Sequence, residues 1–314
     1  MISYVVKKKL VSENWDLFIN NSQNGTIFHK QKFLKYHKKK FNNQIFIEFT
    51  KKNKLIGVIS GVKIKEENKY IFQSPFGASF GGIVIGNKIR FKDIFSIVVS
   101  FKSFLINNDF SGCELVCTPD HLSNTINNSL EFCLLKNNFK IKNLDISSAI
   151  FMEKNYLNDV YQNKKKFLKK QENFKFEIAK DIEKFYPFLT KNLKKKFNVK
   201  PTHSKAELNY LRKSFKDNFK VFLCYYKNQL DSAVMVIKTS PNKIILFYII
   251  NNYMSKSNSI SFLIINIMNY YKNYKVIDFG TSSFLGEVRS SLIHFKEEFG
   301  TNLFFRKKII LNIK

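Results

Sequence analysis

One succession of elements is written twice in this chain, and that duplication restricts the fold more than any other feature. In the first half, IFIEF (45–49), LIGVISGVKI (55–64) and YIFQS (70–74) are β-rich runs separated by the polar turns Thr50–Lys54 and Lys65–Lys69. In the second half, VFLCY (221–225), LDSAVMVIK (230–238) and IILFYII (244–250) recur at almost the same spacings, with turns at Lys227–Gln229 and Thr239–Lys243. Such runs joined by short polar turns predict an antiparallel meander. A helix and a further strand follow each meander. Phe91–Ile106 carries Ile94, Ile97, Val98, Phe101, Phe104 and Leu105 at helical spacing and leads to CELVCTPD (113–120). Ser259–Tyr271, with Ser257, Asn258 or Ser259 available as N-cap, leads to VIDFGTSS (276–283). A helix between the third strand and the last places those two strands parallel. The expected class is α+β: two β-β-β-α-β domains, 1–150 and 151–314, each a mixed, mostly antiparallel sheet flanked by helices. The first copy carries an insertion at 74–88.

Composition narrows the function less than the fold. A chain of 314 residues with 34 Phe and 14 Tyr has ample apolar surface for two cores. The four cysteines (113, 117, 133, 224) include no C-x-x-C pair, which argues against a disulfide scaffold or a zinc ribbon. They fall in predicted strands or helices as small core hydrophobes. No His or carboxylate cluster has metal spacing, so no metal is expected. The net charge of +29 points to a polyanionic partner, but arginine occurs only at 90, 212, 289 and 306. A dedicated phosphate reader uses more of arginine's planar fork. Lys, Asn, Ile and Phe are inflated together, as an A/T-rich coding sequence would make them. The charge admits RNA, an anionic membrane face or a nucleotide-bearing substrate without choosing among them, and DNA is not expected. Met1–Val6 followed by Lys7, Lys8 and Lys9 has the wrong order for a signal peptide. The apolar stretches Ile244–Ile250 and Ile260–Met268 are far shorter than the roughly 20 residues of a membrane helix. The expected location is cytoplasmic. Between the copies, Glu153–Glu177 reads as a basic, largely helical stretch with Lys164, Lys165, Lys166, Lys169 and Lys170 on a solvated face, or as an arm for a polyanion.

The β-β-β-α-β unit is the core of the GNAT fold, and particular residues sharpen the likeness. Lys200-Pro201-Thr202-His203-Ser204 with Glu207, Leu208 and Leu211 is one matching piece. Val276-Ile277-Asp278-Phe279-Gly280 with Ser282 and Ser283 is another, and Leu292 with Phe295-Lys296-Glu297-Glu298-Phe299-Gly300 a third. In the first half, Thr26-Ile27-Phe28-His29 and Ser74-Pro75-Phe76-Gly77 with Phe80-Gly81-Gly82 belong to the same pattern. Together they resemble the FemAB-like, double-GNAT acyltransferases, many of which act on peptidoglycan or surface polysaccharide. The resemblance implies tandem GNAT-like domains, with most of the active site in the second. It implies an acyltransferase that moves an acyl group, acetyl from acetyl-CoA foremost, to an amine or hydroxyl of a saccharide or nucleotide-sugar precursor. The alternative donor is aminoacyl-tRNA, used to build peptidoglycan bridges. A further alternative is a non-catalytic RNA- or membrane-binding protein on a decayed transferase fold. The pyrophosphate loop of acetyl-CoA enzymes, Q/R-x-x-G-x-G/A, is replaced here by the glycine-free Asn251–Ser259.

Acyl transfer needs a neutral nucleophile, a polarised carbonyl and alignment of the two. In a GNAT unit the third and last strands splay, and Tyr248 and Asp278 are placed to face that gap. Asp278 is expected to act as a base or to orient the acceptor; otherwise it caps the following turn through the Gly280 and Thr281 amides. The resemblance places Lys296 in the donor channel, where a cation would counter an oxyanion; otherwise it is an ordinary exposed helix lysine. His203 would serve as a base or bind acceptor; otherwise Thr202 or Ser204 caps the next helix with Glu207 completing the box, and His203 packs. Gly280, Ser282, Ser283 and Phe295 are candidates for substrate contact. His29 is expected to support the first domain.

Overall fold

Runs of β-branched and aromatic residues bounded by left-handed turn residues set the strands, and the turns are where the sequence placed them. Lys52 and Asn53, and again Lys227 and Asn228, sit at positive φ, the geometry that two-residue hairpin turns require. The computed structural model describes residues 2–7, 13–169 and 172–313. Two compact units divide the chain: residues 1–146, 285–287 and 304–314 form the first, and 147–284 with 288–303 the second.

The first unit holds β1 (Ile2–Lys7), α1 (Glu13–Asn20), α2 (Gln31–Leu34), β2 (Gln44–Lys51), β3 (Lys54–Glu66), β4 (Lys69–Ser74) and β5 (Val84–Ile85). These are followed by α3 (Phe91–Asn107), β6 (Gly112–Val116), α4 (Asn128–Lys136) and the start of β7 (Lys140–Phe151). Strands β1 to β4 pair antiparallel in sequence order. β6 then adds parallel to β4, as the α3 crossover demands. The last strand of the chain, β15 (Asn302–Asn312), pairs antiparallel with β6 from Lys308↔Val116 to Asn312↔Gly112. The expected division at residue 150 left this strand in the second unit. Ile309 and Leu311 instead pack into the first core with Phe72, Phe101, Phe104 and Leu115. Each such phenylalanine, fully removed from water, contributes about 2–3 kcal/mol.

The second unit repeats this order. It comprises α5 (Gln162–Lys165), β8 (Phe174–Ala179), α6 (Phe185–Phe197), α7 (Lys205–Ser214), β9 (Phe219–Tyr226), β10 (Gln229–Ser240) and β11 (Lys243–Asn251). Then come α8 (Ser259–Tyr270), β12 (Val276–Thr281), the short strands β13 (Ser283–Phe284) and β14 (Glu287–Val288, whose first residue is counted with the first unit), and α9 (Ser290–Glu297). β8 to β11 form the antiparallel meander, β12 joins β11 in parallel, and the end of β7 closes on β12 antiparallel. Its core gathers Phe222, Val234, Ile244, Leu263, Ile267 and Ile277.

The stretch 153–177 departs from its expected helical character. It contains turns, the 3₁₀ turns Tyr156–Asn158 and Lys166–Leu168, the four-residue α5 and the start of β8. Lys164 is buried rather than solvated: its ammonium lies 3.1 Å from Glu298 Oε2 and donates to Ser261 Oγ at 3.1 Å. Lys166 and Lys169 are exposed, and Lys170 lies outside the described residues, as do Lys8 and Lys9.

His29 supports the first unit, as its position in Thr26–His29 suggests. Its Nδ1 accepts from the Thr26 amide at 3.1 Å, and Nε2 lies 3.2 Å from Gly81 O. The imidazole is thereby tied to the Phe80-Gly81-Gly82 segment, and Phe28 meets Phe80 edge to face at 5.6 Å. Burial pushes the ring's pKa down to about 4, although its backbone partners pull the other way. An unfolded chain binds a proton at this histidine between pH 6.5 and 4 that the native state refuses. Stability therefore falls as pH drops through that window, by about 3 kcal/mol for the full shift. Urea unfolding at pH 7 and pH 4 should show wild type losing this much more than His29→Gln; equal losses would refute the assignment.

Candidate active site

The parallel ladder between β11 and β12 ends early, and the site begins there. Pairing runs Lys243↔Val276, Ile244↔Ile277, Ile245↔Asp278, while β11 continues to Asn251. β11 also carries a bulge. Met235 pairs with Tyr248 and Val236 with Leu246, so Phe247 is the extra residue, and a bulge re-aims the side chains beside it.

Beyond the bulge, Tyr248 turns onto His203. Its hydroxyl lies 2.9 Å from His203 Nδ1, and its ring packs against Phe185 at the start of α6. Burial pushes the Tyr248 phenol up to about 12. The phenol therefore keeps its proton at neutral pH, and the His203 tautomer sets which of the two atoms donates. The loop bearing His203 is anchored by the helix after it. Ser204, not Thr202, is the N-cap of α7, accepting from the Glu207 amide while Glu207 receives the Ser204 N–H at 2.8 Å.

On the other side of the split, Asp278 and Lys296 are both buried, 1% and 2% exposed. Asp278 Oδ1 accepts the Gly280 amide, the turn-capping bond the sequence allowed. Lys296 is no surface lysine. It donates to Gly280 O at 2.8 Å, Thr281 O at 2.9 Å and Ser282 Oγ at 3.0 Å, using the three hydrogens of its ammonium. Burial lowers its pKa to about 8, opposed by the Asp278 carboxylate. Ser282 Oγ also meets Ser148 Oγ at 2.8 Å, and Ser283 is buried beside it. This cluster fixes the end of β12 from beneath. Gly280 itself, at φ +76°, has open space where a side chain would stand.

A cavity of about 650 Å³ lies in the same unit. Ile249, Ile250 and Asn251 of β11 and Asn192, Leu193 and Lys196 of α6 form part of its wall. α9 supplies Leu292 and Phe295, with Arg289 just ahead of it. Two elements connect the cavity to the groups above. α6 touches Tyr248 through Phe185 and the cavity through Asn192, about 10 Å along the helix. α9 shows Phe295 to the cavity and its neighbour Lys296 to the end of β12. Of the candidate catalytic and substrate-contact residues named from sequence, Phe295 lines the cavity; Tyr248, His203, Asp278, Gly280, Ser282, Ser283 and Lys296 are not among its lining residues.

The segment before α8 is occupied by its own contacts. Ser255 Oγ donates to Asp231 Oδ2 at 2.9 Å, and Ser257 Oγ to the same oxygen. The amides of Met254, Ser257 and Ser259 go to Asn252 Oδ1, Ser255 Oγ and Ser257 Oγ. Those of Asn252, Ser255 and Ser261 go to backbone carbonyls.

No protein-family model and no curated protein matches the sequence. Among solved structures, FemX superposes on 99% of this chain and 97% of its own at a TM-score of 0.70 and 12% identity. A tandem GNAT protein from the clavulanic acid biosynthesis pathway covers 99% and 98% at 0.53 and 6% identity. The fold is that of the FemAB-like, double-GNAT proteins. The C-terminal domain of a putative lysylphosphatidylglycerol synthetase from Agrobacterium fabrum matches this chain over 82% of its length and 81% of that domain. Its TM-score is 0.54 at 11% identity.

Within the second unit, sequence reading missed α6, Lys196, Arg289 and Asp231. For α6 the signal was present as apolar residues at 185, 189 and 193, one helical face among lysines. For Asp231 it was the serine run 255–259, whose hydroxyls need a partner once buried. The cysteines sit in or beside regular elements, and burial raises the thiol pKa of Cys117 and Cys224 to about 12. They are poor nucleophiles there.

Proposed function

We propose that this chain is an acyltransferase that takes an aminoacyl group from the ester of aminoacyl-tRNA. It delivers that group to an amine or hydroxyl of a cell-envelope precursor. The observation that carries the choice of donor is the segment 252–261. Six of its ten amides, those of Asn252, Met254, Ser255, Ser257, Ser259 and Ser261, are engaged in hydrogen bonds, and the Asp231 carboxylate lies among its serines. A pyrophosphate needs free N–H groups and no nearby anion, so this segment offers acetyl-CoA little. A lysine-rich surface suits an RNA-borne donor. The name of the Agrobacterium neighbour, which pairs a lysyl group with a lipid, supports the same direction.

In this reading the donor carbonyl enters the gap beyond Ile245 and Asp278, where β11 has left its parallel partner. The acceptor nitrogen attacks the carbonyl carbon, the ester C–O bond breaks, and one proton passes from the acceptor to the departing ribose oxygen. Tyr248 and His203 form a hydrogen-bonded pair able to relay that proton. Asp278 and Lys296, both buried, act as positioning residues that hold Gly280–Ser282 at the mouth of the gap. Lys196 and Arg289 favour a phosphate-bearing precursor in the cavity.

Two measurements test the donor. Purified protein should discharge aminoacyl-tRNA to an added muropeptide amine, and saturating acetyl-CoA should leave Tm unchanged. A ligand at about a hundred times its Kd raises Tm by roughly 5 °C in a chain of this size. Such a rise with acetyl-CoA, together with acetyl transfer, would overturn the assignment.

A further inference from the structure

The outward face of α3 is apolar where a helix on a water-facing surface should be polar. Its inner face is accounted for: Ile94, Ile97, Val98, Phe101 and Leu105 are buried in the first core. The outer face carries Phe91, Phe95 and Val99 four residues apart, with Ile106 seven further on, one stripe along the helix. α4 continues it with Phe132 and Leu135, and the rings of Phe91 and Phe132 meet at 5.9 Å. All six side chains are between 37% and 51% exposed. Scattered exposed hydrophobics need no explanation, but a contiguous two-helix patch does.

The charges around it select the partner. α3 and α4 contain two carboxylates, and both are neutralised: Asp93 is bonded by Lys51 at 2.7 Å, and Glu131 by Lys307. Lys92 on α3, Lys136 at the end of α4, and Lys88 and Arg90 just before α3 remain as cations bordering the stripe, and Lys102 falls within it between Val99 and Ile106. A second copy of this chain would bring a like-charged rim against this one. A polynucleotide would satisfy the cations but leave Val99, Ile106 and Leu135 uncovered. Aromatic and aliphatic side chains framed by lysines match the interfacial layer of a bilayer with an anionic headgroup surface.

We propose that the α3–α4 face of the first unit is a peripheral docking surface for an anionic lipid membrane. The assignment is independent of the donor chemistry proposed above. The apolar stripe enters the headgroup boundary, and the lysines at its edge meet lipid phosphates.

Vesicle co-sedimentation with the full chain tests this, using phosphatidylcholine vesicles with and without phosphatidylglycerol. Wild type should bind only the anionic vesicles, with affinity falling as salt rises. Three variants divide the contributions. Phe91→Ser/Phe95→Ser/Phe132→Ser should weaken binding by at least about tenfold. Lys92→Glu/Lys102→Glu/Lys136→Glu should weaken it by roughly a hundredfold or more, since each lysine near such a surface is worth about fivefold. Lys213→Glu/Lys216→Glu/Lys272→Glu, with the same charge change on the second unit, should bind much as wild type does. Every altered side chain is at the surface, and an unchanged circular-dichroism melt confirms folding. The proposal is overturned if the second-unit variant loses as much as the α3–α4 variant, because diffuse charge then explains binding. It is also overturned if the serine variant binds normally. A change in oligomeric state in place of vesicle binding, or competition by RNA that the serine substitutions leave intact, would equally overturn it.

Discussion

Replacing Lys296 with methionine is expected to cost about 3–5 kcal/mol of folding stability at neutral pH, the usual penalty for leaving one member of a buried charged pair alone. The ammonium holds Gly280 O, Thr281 O and Ser282 Oγ together, and its charge faces Asp278. Methionine supplies neither donors nor charge. Transfer activity should fall by about 10² or more, because the end of β12 loses its brace at the mouth of the gap. The pH dependence has a definite sign. Burial lowers the pKa of Lys296 from 10.5 to about 8. Between those values the unfolded chain holds a proton that the native state has released, so rising pH favours the native state, by about 3 kcal/mol over the window. Below pH 8 the burial cost is borne in full. Lys243 is shifted the same way, but it is present in both proteins and cancels in the comparison. Guanidinium midpoints from pH 7 to 10.5 should therefore show the gap between wild type and Lys296→Met widening. A constant gap, or none, would contradict the buried-cation account.

Tyr248→Phe should slow transfer by about 10²–10⁴ while changing stability by only about 1 kcal/mol. The substitution removes a hydroxyl 2.9 Å from His203 Nδ1 and keeps the ring that packs against Phe185 and Phe247. A relay fails without the phenolic proton, whereas a packing contact survives its loss. Single-turnover rates across pH separate the cases: loss of the rate with the fold intact supports the relay. An unchanged rate would make the His203–Tyr248 bond structural and move the proton chemistry elsewhere.

Local features were read from the chain because local physics decides them. Ser204 and Glu207 close a capping box three residues apart, and both partners are fixed by helix geometry. The turns at Lys52-Asn53 and Lys227-Asn228 lie between apolar strand runs, and a two-residue turn of left-handed residues is decided by its own backbone. Lys164 and Lys296 show the opposite case. In a chain with 53 basic residues, nothing local marks the buried ones. Lys164 is distinguished by Ser261 and Glu298, 97 and 134 positions away along the chain, and Lys296 by carbonyls 15 and 16 positions away. The stretch around Lys164 misled for the same reason. Its composition favours helix, but Phe174–Ala179 gains an edge position beside β9 by pairing Phe176 with Cys224 and Ile178 with Phe222. Tertiary pairing overrides intrinsic propensity in such segments.

The sequence by itself determined the two-fold repetition of meander, helix and strand, and with it the parallel pair at which each unit can open. Hydrophobic periodicity and turn chemistry act over a few residues and need no partner from elsewhere. Only the tertiary structure decided which lysines lose their water, that Phe247 bulges and turns Tyr248 onto His203, and that the last strand returns to the first unit. Each of those outcomes is a contest between desolvation and a bond to a residue distant in the chain. Its balance exists only once the partner has been brought within about 3 Å.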